Sequence, residues 1–429
     1  MLAALVTLWF ITRHLSTSEQ GFYYTFASII GLQIVFELGM SNVVMQFASH
    51  EMARLSWRTD HILEGDEKAQ SRLYSLFRLI ARWYGVIAVL IIVVILPAGY
   101  YFFGRNAASP SIAWEAAWTW LIVATAVNIL LTPVFAILEG CGHVAQIARL
   151  RMVQGMGGSV VCWGMLASGA GLLAMPAMSS VMAVIGLCWL CLSYTRFFKA
   201  LATHYFATNK IDWKTEIWPL QWRIAISWLS GYFIFQFFVP VLFAYRGAIE
   251  AGQMGMSLSV VSAISTIAIA WVNTKAPQFG RLAALQHFHE LDSLFFRILK
   301  QSTVVILLGA LCLLCIKLFL LHIDHPLNDR ILPLLPFVLL LLTTIVNHIV
   351  FGLAIYLRSH KEEPFMLFSL TMALLIAAAS LLLTKRFGAT GMMTAYFGLT
   401  SCIGLIWACW IFKTKRLEWQ ATKKGEQIV

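Results

Sequence analysis

The sequence predicts an all-α polytopic membrane protein of about twelve transmembrane helices, in two six-helix lobes around a central cavity, with both termini cytoplasmic. Three observations lead there. The mean hydropathy is +0.78, with 60% hydrophobic and only 12% charged residues, a composition foreign to soluble domains. Apolar runs of membrane-crossing length recur along the whole chain. Finally, Lys and Arg cluster in alternate connections, the orientation signal of a helical membrane protein.

Runs of about 17 to 25 apolar residues span hydrocarbon, and they place crossings at 1–13, 20–49, 77–103, 114–138, 152–172 and 175–197. Six more follow at 218–244, 252–273, 302–322, 331–357, 364–384 and 389–412. The first run is the anomaly. Met1 to Ile11 is too short to span and has no basic leader of the kind a signal peptide needs, so the expectation is a truncated start or a half-crossing. The connections after even-numbered crossings, with the tail, hold twenty-four of the 31 Lys and Arg residues, including Arg54, Arg72, Lys214 and Lys415. Seven, among them Arg105, Arg246 and Lys317, lie on the other side. The net charge of +11 is therefore an orientation signal, and no nucleic-acid partner is implied.

An internal echo divides the chain. Leu73-Tyr74-Ser75-Leu76-Phe77 leads into crossing 3, and Leu291-Asp292-Ser293-Leu294-Phe295 leads into crossing 9 about half the chain later. Repeat-built transporters place their site where two such halves meet. The expected domains are an N-terminal lobe (1–197), a cytoplasmic linker (198–217), a C-terminal lobe (218–412) and a basic tail (413–429), with the lobes rocking about the linker.

Polar residues inside the crossings carry the functional expectations. Glu37 lies about 20 Å from Glu51 at ~1.5 Å per residue, too deep to snorkel easily, and an intramembrane carboxylate marks a candidate site. Gln33 and Ser41 share its face one turn away on either side, so Glu37 and Gln33 are the candidate coupling residues. Their competing reading is helix glue, with Glu37 paired to a cation such as Arg223. Polar seams at helical spacing appear in crossing 4 (Thr125, Asn128, Thr132), crossing 7 (Arg223, Ser227, Ser230), crossing 8 (Ser259, Ser262, Thr266, Asn273) and crossing 10 (Thr343, Thr344, Asn347, His348). From these come the candidate lumen residues Arg223, Ser227, Asn128, Asn273, Asn347 and His348, again with interhelical hydrogen bonding as the alternative. Arg223 offers a guanidinium fork to phosphate oxygens.

Other motifs are discounted. Seven of the eight Cys residues sit in apolar runs and only Cys141 reads as a loop residue; Cys188-x-x-Cys191 and Cys312-x-x-Cys315 lack the polar frame of a metal site, so no metal is expected. The glycines of crossing 5 read as a close-packing face, and Trp228 is turned off the polar seam. His322, Asp324, His325 and Asp329 read as a wet turn.

Glu37-x-Gly39, Leu138-Glu139-Gly140, Pro277 with Leu282, and Phe387-Gly388-Ala389-Thr390-Gly391 occur in an order and spacing that resemble the polysaccharide and O-antigen flippases, lipid-linked oligosaccharide transporters of the multidrug/oligosaccharidyl-lipid/polysaccharide exporter superfamily. The resemblance implies a flippase, not an enzyme, that carries an undecaprenyl-diphosphate-linked oligosaccharide (an O-antigen, capsule or exopolysaccharide repeat unit) across the bacterial inner membrane. It further implies alternating access coupled to H+ or Na+, no cofactor, and membrane lipids and other polysaccharide assembly proteins as partners. A multidrug/cation antiporter of the same superfamily shares the frame and would favour acidic lumen residues, against which Arg223 stands. A glycan polymerase or ligase would need an outward catalytic loop, and the longest outward connections, such as 322–331, are about ten residues.

Overall fold

In the computed structural model, residues 2–58, 63–106, 112–197, 199, 211–360 and 363–426 are described. They are helical nearly throughout and form two compact units, Met1–Leu229 and Ser230–Val429. Most of the expected linker, residue 198 and residues 200–210, lies outside the described residues.

The first unit runs through α1 (Leu2–His14), α2 (Thr17–Ile30), α3 (Gln33–Glu37), α4 (Met40–Met52), a two-stranded hairpin, α5 (Glu67–Leu90), α6 (Leu96–Asn106), α7 (Glu115–Gly140), α8 (Val144–Ala167) and α9 (Ala174–Ser193). The hairpin pairs β1 (Leu55–Trp57) with β2 (Leu63–Gly65) in antiparallel register. α10 (Trp218–Phe235) contains the boundary between the units. In the second unit follow α11 (Phe238–Arg246), α12 (Ala248–Asn273), α13 (Ala276–Ala284), α14 (Phe288–His322), α15 (Leu334–Arg358), α16 (Met366–Gly398) and α17 (Ile406–Glu426).

Seven helical stretches among the described residues are long and apolar enough to cross a membrane, and nine if two bent pairs each count as one span. The pairs bend by 47° between Glu37 and Met40 and by 43° between Phe235 and Phe238. The stretch Met366–Trp419 holds two crossings, because Gly388 at φ 57°, ψ −145° interrupts its helix. The 24-residue α8, whose Arg149, Arg151 and Gln154 dilute its hydropathy, and the 13-residue α1 also coincide with expected crossings but fall short of that test. The chain is a multi-pass membrane protein.

Local sequence explains the ends. Ser16 and Glu19 close α2 with a reciprocal capping box, and Asp66 caps α5 through the Lys68 amide at 3.0 Å. Between them the packing is inside-out relative to a soluble protein. Val86, Val89 and Val93 are 58%, 59% and 62% exposed, while Tyr84, Ile87 and Ile91 on the other face are buried, so lipid replaces water as the outer solvent. Aromatic rings fill each core: Phe26, Phe103 and Trp118 meet at 5.0–5.3 Å in the first unit, and Phe295, Tyr356 and Phe412 at 4.8–5.8 Å in the second.

Candidate functional site

The break in crossing 2 places the buried carboxylate. α3 ends at Glu37, and the next two residues, Leu38 and Gly39, are both left-handed, at φ 50° and 66°. A second left-handed residue is costly for anything but glycine. Here glycine is also required by space, since a Cβ on Gly39 would lie 2.4 Å from the Ile224 Cγ2 of α10. The acidic-x-Gly step is thus a helix break seated against the first half of crossing 7.

Glu37 is 7% exposed. Ser41, one turn beyond the break, donates its hydroxyl to Oε1, and the Tyr84 hydroxyl of α5 donates to the same oxygen at 3.0 Å. Two neutral donors thus meet one oxygen of the carboxyl, and no hydrogen bond to Oε2 is formed among the described residues. Ser41 is the partner expected from helical spacing. Gln33 makes no hydrogen bond to Glu37 among the described residues, and the alternative pairing of Glu37 with Arg223 is not formed. Tyr84 was not legible in advance; its only signal was a hydroxyl inside an otherwise apolar run.

The lumen candidates separate into two kinds. Asn128 donates to the Ser179 carbonyl at 2.9 Å and to its hydroxyl at 3.1 Å, tying α7 to α9. Asn347 donates to the Tyr396 hydroxyl at 2.8 Å, and His348 Nε2 meets the Ser302 hydroxyl at 2.9 Å. These three amide and imidazole groups are engaged between helices. Arg223, Ser227 and Asn273 are open: Arg223 is exposed, lies 5.6 Å from the Trp222 ring and has no ion pair among the described residues, Ser227 is half-buried, and Asn273 is exposed at the end of α12. No two of the six touch through a hydrogen bond among the described residues. Along the seams, Thr125, Thr132, Ser259, Thr266, Thr343 and Thr344 each donate to the carbonyl four residues back.

The remaining short motifs fall at close contacts. Gly140 lets α7 approach Ala48 and the Met45 carbonyl of α4, and beside it Glu139 is gripped by Arg151 at 2.9 and 3.1 Å. Gly388 turns crossing 11 into crossing 12, where the Ala389 amide donates to Glu250 at 3.3 Å and Arg246 pairs with Glu250 at 3.3 Å. Pro277 begins α13, whose buried Phe279 packs on Phe295 at 5.9 Å.

On the basic side, buried acids meet arginines. Arg72 donates to Glu51 at 2.7 Å and also to Glu216; Asp292 receives the Arg416 fork at 2.9 and 2.6 Å and the Tyr356 hydroxyl at 2.7 Å. The bond from Glu216 raises the pKa of Arg72 further, and Arg72 in turn holds the Glu216 carboxyl below its usual range. Among the described residues no group of three His, Cys, Asp or Glu could hold a metal. The outward turn is a turn: Asp324 is left-handed, and His325 Nδ1 accepts from the Leu327 amide at 3.1 Å.

No protein-family model matches the chain, and no curated protein does. Solved structures match across nearly its full length. An inward-facing multidrug resistance MATE family transporter of the MOP superfamily is 14% identical over 98% of this chain and 95% of its own, with a TM-score of 0.64. A MOP superfamily transporter from Pyrococcus furiosus, described as having a binding pocket of reverse polarity, is 12% identical over 98% and 92%, with a TM-score of 0.56. A Vibrio cholerae MATE transporter is 15% identical over 99% and 93%, also at 0.56. At such identities the likeness shows the fold, and the fold is that of MATE transporters.

Proposed function

We propose that this protein is an ion-coupled secondary transporter of the multidrug/cation antiporter type, working by alternating access in the bacterial inner membrane. The observation that carries the reading is Glu37, a buried membrane carboxylate held at a helix break by two neutral donors. Such a group supplies a negative charge that a proton or sodium ion and an organic cation can use in turn. The shared fold supports a transporter over a glycan polymerase or ligase. In proteoliposomes, an imposed pH or sodium gradient should drive uptake of a fluorescent organic cation; no gradient-driven uptake of any such cation by well-folded protein would overturn the reading.

A second reading keeps its own observation. Arg223, exposed and without an ion pair among the described residues, is suited to the diphosphate of an undecaprenyl-linked oligosaccharide, which is the flippase the sequence motifs resemble. The two readings separate on one variant. If the substrate is a lipid diphosphate, Arg223→Gln should slow its flipping about ten- to a hundredfold, since losing a charge-assisted bond costs ~1.5–3 kcal/mol, with Arg223→Lys intermediate. If it is an organic cation, Arg223→Gln should leave transport unchanged or improved. Paired flipping and cation-uptake assays on the same preparation decide.

A further inference from the structure

The two halves of the chain carry matching ion pairs of opposite polarity, and neither belongs to the candidate site. Arg72 stands immediately before the first echo segment, at the start of crossing 3. It bridges Glu51, 7% exposed at the end of crossing 2, to Glu216 in the single wide helical turn Trp213–Ile217 that enters crossing 7. In the second echo segment, at the start of crossing 9, the buried charge is Asp292, 8% exposed, and the arginine arrives from the segment after crossing 12 as Arg416. Each half therefore fastens the start of its third crossing to the segment that follows its sixth. Basic and acidic partners have exchanged places.

The first of these pairs holds a segment that leads straight into α10. Residues 211–218 are attached to α5 at three heights. The Ile211 amide donates to the Ser75 hydroxyl at 3.0 Å, Glu216 takes Arg72, and the Trp213 ring packs on Trp83 at 5.8 Å while its indole N–H donates to Gln221 at 2.9 Å. Positions 72, 75 and 83 fall on one face of a helix within about 80°, so the lead-in lies along that face rather than crossing it. One turn further along α10, Ile224 rests against the break at Gly39.

We propose that Arg72, through Glu216, is a positioning residue that makes the start of crossing 7 move with crossings 2 and 3, so that rearrangement at the Glu37 break is handed on to the helix that enters the second unit. Arg416 and Asp292 form the corresponding clasp within the second unit, but they hold α17 rather than α10, the helix that rests on the Glu37 break, so they serve as the comparison for attachment without coupling. The inference rests on the transporter reading for its consequence, though its attachment half can be read without any transport.

Glu216→Gln is the variant of choice because it releases the lead-in while leaving the Arg72–Glu51 pair intact. Amide exchange over 211–217 in purified protein should rise about tenfold or more. In vesicles the maximal rate of gradient-driven uptake should fall about two- to thirtyfold, the range of a coupling residue, with an unchanged KM. Arg416→Gln should raise exchange over 413–419 and leave the transport rate alone. Unaltered exchange over 211–217 in Glu216→Gln overturns the attachment. Raised exchange with a normal maximal rate, or an equal loss of rate in Arg416→Gln, overturns the coupling role and leaves two structural clasps. A wild-type protein that moves neither organic cations nor lipid-linked oligosaccharides would instead refute the transporter reading, with the exchange results still deciding the attachment.

Discussion

Glu37→Gln protein in proteoliposomes is expected to lose its response to an imposed pH gradient, with gradient-driven uptake reduced about tenfold or more while substrate still equilibrates downhill. The amide has the size of the carboxyl, and its carbonyl oxygen can accept from Ser41 and Tyr84 as Oε1 does now. What the substitution removes is the ability to gain and lose a proton. The variant should therefore fold, hold an organic cation more weakly because the charge is gone, and fail to extract work from the gradient. Tyr84→Phe makes a useful companion, because it removes one of two donors and should slow uptake only a few-fold. A Glu37→Gln protein whose uptake follows the gradient as wild type does would reduce Glu37 to a structural partner of Ser41 and Tyr84.

Gly39→Ala should destabilise the first unit strongly, by about 2–5 kcal/mol. Two penalties add. A non-glycine residue in the left-handed region costs ~1–2 kcal/mol, and the new methyl, 2.4 Å from Ile224 Cγ2, forces an overpacking shift worth ~1–3 kcal/mol. Thermal unfolding in detergent measures the sum, and Ile224→Ala in the same protein should return the steric part while leaving the backbone part. If Gly39→Ala melted with wild type, the break in crossing 2 would have to relax into regular helix without loss.

The crossings were legible in the sequence because length and hydropathy report directly on burial in lipid, and composition reports on little else at that scale. What lay beyond hydropathy was harder. Crossing 9 begins at Phe288 rather than near 302, because its first turns carry Arg297 and Lys300 and sit outside the apolar window. The break after Glu37 gave no conventional turn signal, since Leu38 is an unusual left-handed residue and Gly39 alone does not announce one. Ser41 was found from periodicity and Tyr84 was not, because periodicity sees one helix and Tyr84 reaches Glu37 from another, 47 residues along the chain. The amides of Asn128 and Asn347 illustrate the same limit: a polar stripe shows that a face is polar, while only the neighbouring helix shows whether its groups are already engaged. The Arg72 and Asp292 pairs were hidden for a related reason, as ordinary members of a basic cytoplasmic surface.

The hydroxyls of the seams have a consequence for what they can hold. Thr132, Ser259, Thr266 and Thr344, the ones not buried, have each spent their single proton on their own helix, so what they keep free is lone pairs. Such stripes are one-sided in hydrogen-bond sense, Lewis-basic and unable to give a proton without opening an internal bond. A guest bearing N–H groups or an ammonium would find partners along them at every turn, and a phosphate would find none. The seams would then select by donor count, and a series of guests equal in size but graded in N–H number should be transported in that order.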